Sequence, residues 1–106
     1  MKILDFKSVS PLFEMERDGD KPFEARKIDS KDKRFRALSQ WQPHFQWGIR
    51  ITNPATGESF IREIVAVSYL WYHYNFDFKV NADWKIIVLG EIVPLEVVYP
   101  PPLPLR

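Results

Sequence analysis

The chain has no cysteine, which removes disulfides, thiolate nucleophiles and cysteine-based zinc sites together and suits a reducing compartment. Histidine is scarce as well. His44 and His73 stand far apart, each flanked by aromatic residues, and no His-x-x-x-His pair offers a metal two ligands. No metal is expected. Only four glycines occur, scattered, so neither a GxGxxG turn nor a Walker loop is present to cradle a phosphate. A GxSxG elbow, which would present a serine nucleophile, is also missing. No cofactor is expected either. No window approaches the roughly 18 apolar residues of a membrane span. The opening "MKILDFKSVSPLF" carries Asp5 and Lys7 where a signal peptide stays apolar. These absences predict a cytoplasmic protein with no membrane partner.

A chain of 106 residues, 45% of them hydrophobic, has material for one core and not for two. A domain of this size buries roughly two-thirds of its unfolded surface, so it needs neither metal nor disulfide to hold it. The formal charge is +1, too small for strong nonspecific attraction to nucleic acid. Its distribution says more. From Arg17 to Arg36 eight Lys/Arg face five Asp/Glu, a local net of +3, whereas the remainder carries seven against nine. That is a modest basic patch.

The pattern along the chain predicts a short strand over Ile3–Val9 and a two-turn helix in "SPLFEMERDG". Ser10 can cap that helix, Pro11 suits its first position, and Gly19 can end it in the left-handed conformation. Leu12, Phe13 and Met15 are expected on its apolar side, Glu14 and Glu16 on its polar side. "PFEARKI" alternates as a strand, with Phe23, Ala25 and Lys27 on one face and Glu24, Arg26 and Ile28 on the other. "DSKDKRFRAL" is expected to be a polar connection, with 29–36 a solvated basic loop. "SQWQPHFQW" reads as an aromatic loop broken by Pro43. "GIRIT", the turn "NPATGE" and "SFIREIVAVSYL" form a hairpin. "WYHYNFDFKVNAD" is ambiguous, "WKIIVLGEIVPLEVV" is one strand or two, and the tail "YPPPLPLR" reads as extended polyproline. An α+β fold follows: a small mixed β-barrel of five to six strands with one or two short helices.

Several residues carry chemistry in this arrangement. Trp41, Phe45 and Trp47, with Trp71, Tyr72 and Tyr74, can stack on bases or close the ends of the barrel. "PPPLP" can dock a protein groove or lie over the barrel edge. Glu24 and Arg26 are two apart on a strand and share a side. A carboxylate and a guanidinium inside a barrel call for a polar partner, and a ligand is one candidate; a surface ion-pair ladder is the other reading. Lys21 can bend to the same mouth, although strict alternation puts it opposite. Desolvated beside Arg26, it would have the character of a base.

These residues also carry a resemblance. "GDKPFEAR" matches the Gly-x-Lys-x-x-Glu-x-Arg signature of ASCH domains, with Gly19, Lys21, Glu24 and Arg26 on the four motif positions. In that family the motif follows a short N-terminal helix and opens a strand of a PUA-like β-barrel. The chain resembles small bacterial and phage members over residues 1–93, leaving 94–106 as a proline-rich tail. The resemblance implies a cleft at the barrel mouth that binds RNA, a nucleotide or a modified nucleoside. Gly19, Lys21, Glu24 and Arg26 would line it, with Lys27 and Trp41 beside them as further ligand contacts. Some members are similar to an N4-acetylcytidine amidohydrolase that uses a lysine, a threonine and a glutamate. Lys21 matches the lysine, but Glu24 stands at the threonine position, where no hydroxyl nucleophile is then available. Lys21, Glu24 and Glu63 are the catalytic candidates on that reading. Three functions stay open: an RNA or nucleotide binder, a hydrolase or ribonuclease, and a module that binds a protein partner through the tail.

Overall fold

The computed structural model describes residues 1–27, 31–73 and 81–94, and side chains outside 70–83 within them. Five strands and two helices follow in the order β1 (Lys2–Lys7), α1 (Leu12–Asp18), β2 (Phe23–Lys27), α2 (Lys33–Ser39), β3 (Trp47–Thr52), β4 (Ser59–His73) and β5 (Asn81–Ile92). They form one mixed sheet, ordered β1-β3-β4-β5-β2. β1 runs parallel to β3, with Leu4 opposite Ile49, and every other pairing is antiparallel. The sheet curls into a half-barrel, the small α+β architecture expected. Among the described residues no helix is long and apolar enough to cross a membrane.

The curl has local causes. Register shifts between Arg62 and Ile64 and between Ile64 and Ala66 mark irregular pairing of β4 with β5, and such bulges bend and twist a strand. Gly90 sits opposite this region, where an added Cβ would lie 2.6 Å from Val65 Cγ1. Any larger residue would push the two strands apart. The bend brings the outermost strands, β1 and β2, within one side chain of each other. Arg26 on β2 donates through Nη2 to the Lys7 carbonyl of β1. Arg34 of α2 donates to the Asp5 carbonyl, 2.7 Å away. Two outward carbonyls of the edge strand are thereby satisfied, which blunts β1 as a template for pairing with another chain.

Inside the curl lies the core. Alternation along β1 turns Leu4 and Phe6 inward, where they meet Ile49 and Ile51 of β3, Ile64 of β4, and Ile87 and Leu89 of β5. Phe13 of α1 and Phe35 and Leu38 of α2 close it. The α2 helix corrects the expected loop over 29–36 from Lys33 onward, while 29 and 30 lie outside the described residues. Asp32 accepts a hydrogen bond from the Arg34 amide at 2.9 Å and caps a helix start hidden among charges. Phe35 and Leu38, three apart, then fall on one buried face. The charges of this segment cover the outside of that helix.

α1 also differs in its facing. Its N-cap is Pro11, and Ser10 hydrogen-bonds the Glu14 side chain and caps no backbone amide. Phe13 and Glu16 are the buried pair, while Leu12 and Met15 stay exposed at 43% and 39%. The apolar stripe expected on Leu12, Phe13 and Met15 is therefore split. One inward position belongs to a carboxylate.

The "NPATGE" hairpin forms as expected. The buried Asn53 accepts from the Ala55 amide at 3.0 Å through its side chain, and Gly57 takes φ +75°. Val93 donates to the Ile61 carbonyl at 2.8 Å, which carries the pairing of this edge one residue past β5. The ambiguous segment resolves into the ends of β4 and β5, with 74–80 outside the described residues. The proline tail from Leu95 onward also lies outside them.

Candidate functional site

Three segments meet where the half-barrel edge faces α1. Ser8 follows β1, Glu16 stands near the end of α1, and Gly19–Pro22 leads the chain into β2 with Glu24 and Arg26. Gly19 makes the junction: at φ +87° it ends the helix in the left-handed conformation, and the Lys21 amide then donates to the Met15 carbonyl at 3.0 Å. The strand begins only at Phe23, so alternation does not bind Lys21 to the far face. It turns back over the helix end. Its Nζ lies 3.6 Å from Glu16 Oε1 and 3.8 Å from Glu24 Oε1.

Glu24 and Arg26 share the inner face of β2, as the period of two requires. Phe23 and Lys27 take the exposed face, so here the aromatic faces solvent and the carboxylate faces in. Glu24 is 3% exposed. A carboxylate so buried needs a hydrogen-bonded counter-charge, and Arg26 Nε supplies one to Glu24 Oε2 at 2.6 Å. The Arg26 guanidinium also lies 5.3 Å from the Phe6 ring centroid, within cation–π range.

Glu16 completes the group, and sequence reasoning missed it. It is fully buried, with Ser8 Oγ donating to its Oε1 at 2.8 Å. Burial raises its pKa above the ordinary 4.5, and the neighbouring Glu24 carboxyl raises it further, to about 7. The Ser8 hydrogen bond and the Lys21 charge oppose this without cancelling it. A signal for Glu16 was present in the sequence: it stands three residues after Phe13, so a helix that buries one turns the other inward as well.

A third cation anchors the group from below. Arg62 of β4 donates through Nε, Nη2 and Nη1 to the carbonyls of Glu16, Arg17 and Gly90 at 3.0, 2.8 and 2.7 Å. Two of these are helix-end carbonyls without a place in the helix ladder. Arg62 thus fixes the C-terminal end of α1, and Glu16 with it, to the sheet.

Lys21, Glu24 and Arg26 line one cavity of about 260 Å³ with Lys7, Ser8 and Leu12. An adjoining cavity of about 520 Å³ shares Lys7 and Arg26 and adds Asp5, Phe6, Arg34 and Thr52. Arg34 is held there by Asp32, and its guanidinium lies 4.3 Å from the Phe6 centroid. Together the two hollows offer one buried carboxylate acceptor among ammonium and guanidinium donors whose positions are already fixed. That donor and acceptor set suits a ligand with an anionic group and an amine or amide edge.

The other sequence candidates are placed elsewhere. Gly19 is the helix stop and not a lining residue. Lys27 is exposed at the end of β2, on the face opposite Glu24. Glu63 is exposed on β4 and lines a separate cavity of about 350 Å³ with the 43–47 loop. Trp41 packs partly buried against the core. In the aromatic loop Phe45 stacks on Trp47 with centroids 5.3 Å apart, and Lys2 Nζ lies 4.5 Å from the Trp47 ring. The side chains of Trp71, Tyr72, His73 and Tyr74 lie outside the described residues. Among the described residues no group of three or more His, Asp or Glu is placed to hold a metal ion. No family model matches the chain, and no curated protein or solved structure matches it.

Proposed function

We propose that the chain is an ASCH-type domain of PUA-like architecture that binds RNA or a nucleotide-like ligand in the Lys21/Glu24/Arg26 cleft. The observation that carries this reading is the convergence of the three motif side chains on one cavity of about 260 Å³. Surface ion pairs point outward and leave no buried member; here Glu24 is buried between two cations. On this reading Arg26 directs its planar fork at a phosphate or base carbonyl, Glu24 accepts from a base amine, and Lys21 adds charge. Lys7 and Arg34, in the adjoining hollow, would meet the neighbouring phosphate.

Titration of labelled single-stranded and hairpin RNA into wild type and the Lys21→Ala/Arg26→Ala double variant, at low and moderate salt, tests it. Wild type should bind with an affinity that falls as salt rises, and the double variant should lose at least about tenfold. Equal binding by the two proteins, or binding by neither, removes the cleft as the RNA site.

A hydrolase acting on a modified nucleoside or on RNA is the second reading. One observation favours it: two carboxyls, Glu16 and Glu24, face one lysine, a grouping that general acid–base chemistry can use. Turnover of N4-acetylcytidine or of RNA above a Lys21→Ala control separates this reading from simple binding.

A further inference from the structure

Glu16 has no role in the binding reading, yet it is the most deeply buried ionisable group described at the site, at 0% exposure. Its Oε1 accepts from Ser8 and faces Lys21, while its Oε2 has no donor. Lys21 is shared with a second buried carboxyl: its Nζ lies 3.6 Å from Glu16 Oε1 and 3.8 Å from Glu24 Oε1, and Glu24 is 3% exposed. Two buried carboxyls that share one ammonium do not both ionise readily, and a buried carboxyl oxygen without a donor favours a proton. We infer that Glu16 and Glu24 hold one proton between them, and that this proton sets the charge of the cleft so that an oxyanion, such as a nucleotide phosphate, binds together with it.

The charge balance follows from the neighbours. The groups facing Glu16 are Lys21 from the α1–β2 link, Glu24 of β2 with Arg26 behind it, and the Ser8 hydroxyl after β1. From β4, Arg62 ends on the Glu16 main-chain carbonyl and not on its carboxyl. With the shared proton in place, Lys21 and Arg26 outweigh the single charge of the carboxyl pair. Without it, the two carboxylates cancel those two cations, and Lys7 in the cavity wall adds the same charge to both states. An anion entering beside Lys21 and Arg26 therefore favours the protonated pair, and by linkage the protonated pair favours the anion. Glu16 is a positioning residue in this scheme. It touches no ligand and acts by deciding how much charge Glu24 presents. That the anion belongs to a nucleotide rests on the function proposed above; the shared proton does not.

Two measurements decide the matter, both on the full chain. Carbon-13 NMR of the Glu carboxyls across about pH 5 to 9 reads the pair with no ligand present. Glu16 and Glu24 should titrate as a coupled pair, and in Glu24→Gln the Glu16 midpoint should move back toward the ordinary carboxylate range. Independent titration of both groups at ordinary midpoints in wild type overturns the inference. Inorganic sulfate, whose charge does not change over this range, then serves as the anion probe, read from the amide resonances of residues 19–26. Wild type should bind sulfate about tenfold more tightly at about pH 6 than at about pH 8.5. Glu16→Gln keeps the shape, can accept from Ser8 and carries no charge at either pH, so it should bind at the acid-form affinity at both pH values. Wild-type sulfate affinity that is equal at the two pH values, or absent at both, overturns the coupling. If both measurements succeed and RNA still does not bind, the RNA reading fails and this inference stands. If they fail while RNA binds, only this inference is lost.

Discussion

The buried Glu16 carboxyl makes stability fall as pH rises through neutrality. Its folded pKa is about 7 against an ordinary 4.5. A raised carboxyl pKa means that the folded chain holds a proton which the unfolded chain has already released. Its contribution is fully present below about 4.5 and is lost as pH rises through about 7. At about 1.4 kcal/mol per pKa unit, the whole loss is about 3 kcal/mol. The steepest slope, one proton, is about 1.4 kcal/mol per pH unit. Domains of this size are held by about 5–15 kcal/mol in total, so the effect is large. Other perturbed acids act in the opposite direction and at lower pH. Glu14, Asp18 and Asp32 are lowered chiefly by hydrogen bonds from Ser10, Arg17 and Arg34, and what they contribute is lost as pH falls through their folded pKa values. The assay is urea unfolding followed by tryptophan fluorescence from about pH 5 to 8.5, on wild type and Glu16→Gln. Wild type should lose stability across that range and Glu16→Gln should be nearly flat. Wild type and variant with the same slope, or wild type gaining stability with pH, would show that Glu16 is not the buried acid described.

Two further perturbations address how the site is held. Arg62→Met deletes three charge-assisted bonds to main-chain carbonyls of α1 and β5; unfolding free energy should fall by about 3 kcal/mol or more, and a loss below about 1 kcal/mol in urea unfolding would mean that solvent replaces those bonds. Gly19→Ala meets only an ordinary contact, 3.5 Å from Arg62 Nη2, so its cost is conformational: about 1–2 kcal/mol for a non-glycine residue held left-handed, and an unchanged urea midpoint would argue against the left-handed stop.

Most of the strand framework was legible because its signals are local. The "NPATGE" turn supplies Asn53 and Gly57 where the hairpin needs them, and alternation in "PFEARKI" assigns Glu24 and Arg26 to one face. The α2 helix was hidden for a local reason too. In "SKDKRFRALS" only Phe35, Ala37 and Leu38 are apolar, so charge density masked the pair three apart that makes the segment amphipathic. Asp32, the cap, looked like one more charge in the run. What no local pattern contains is the curl. Parallel pairing of β1 with β3 sets strands about forty residues apart side by side, and irregular pairing at Arg62–Ala66 bends them.

The site divides along the same line. Lys21, Glu24 and Arg26 lie within six residues of one another, so a short motif can carry them. Glu63 rests on residue type alone, and strand alternation sends it outward while Arg62, its neighbour, faces α1. The residues that organise the cleft are brought from a distance: Ser8 from the end of β1, Glu16 from α1, Arg34 from α2 and Arg62 from β4. Each ties one segment to another through a main-chain carbonyl or a buried carboxyl, and such bonds leave no periodic trace in a sequence. Glu16 is the exception that a stricter argument reaches. Phe13 must be buried for α1 to hold to the sheet at all, since two turns of helix are not stable alone. Helix geometry then turns Glu16 toward the same interior. A carboxylate delivered there must find a donor, a cation or a proton. The chain supplies Ser8, Lys21 and, through Glu24, the reason to keep the proton.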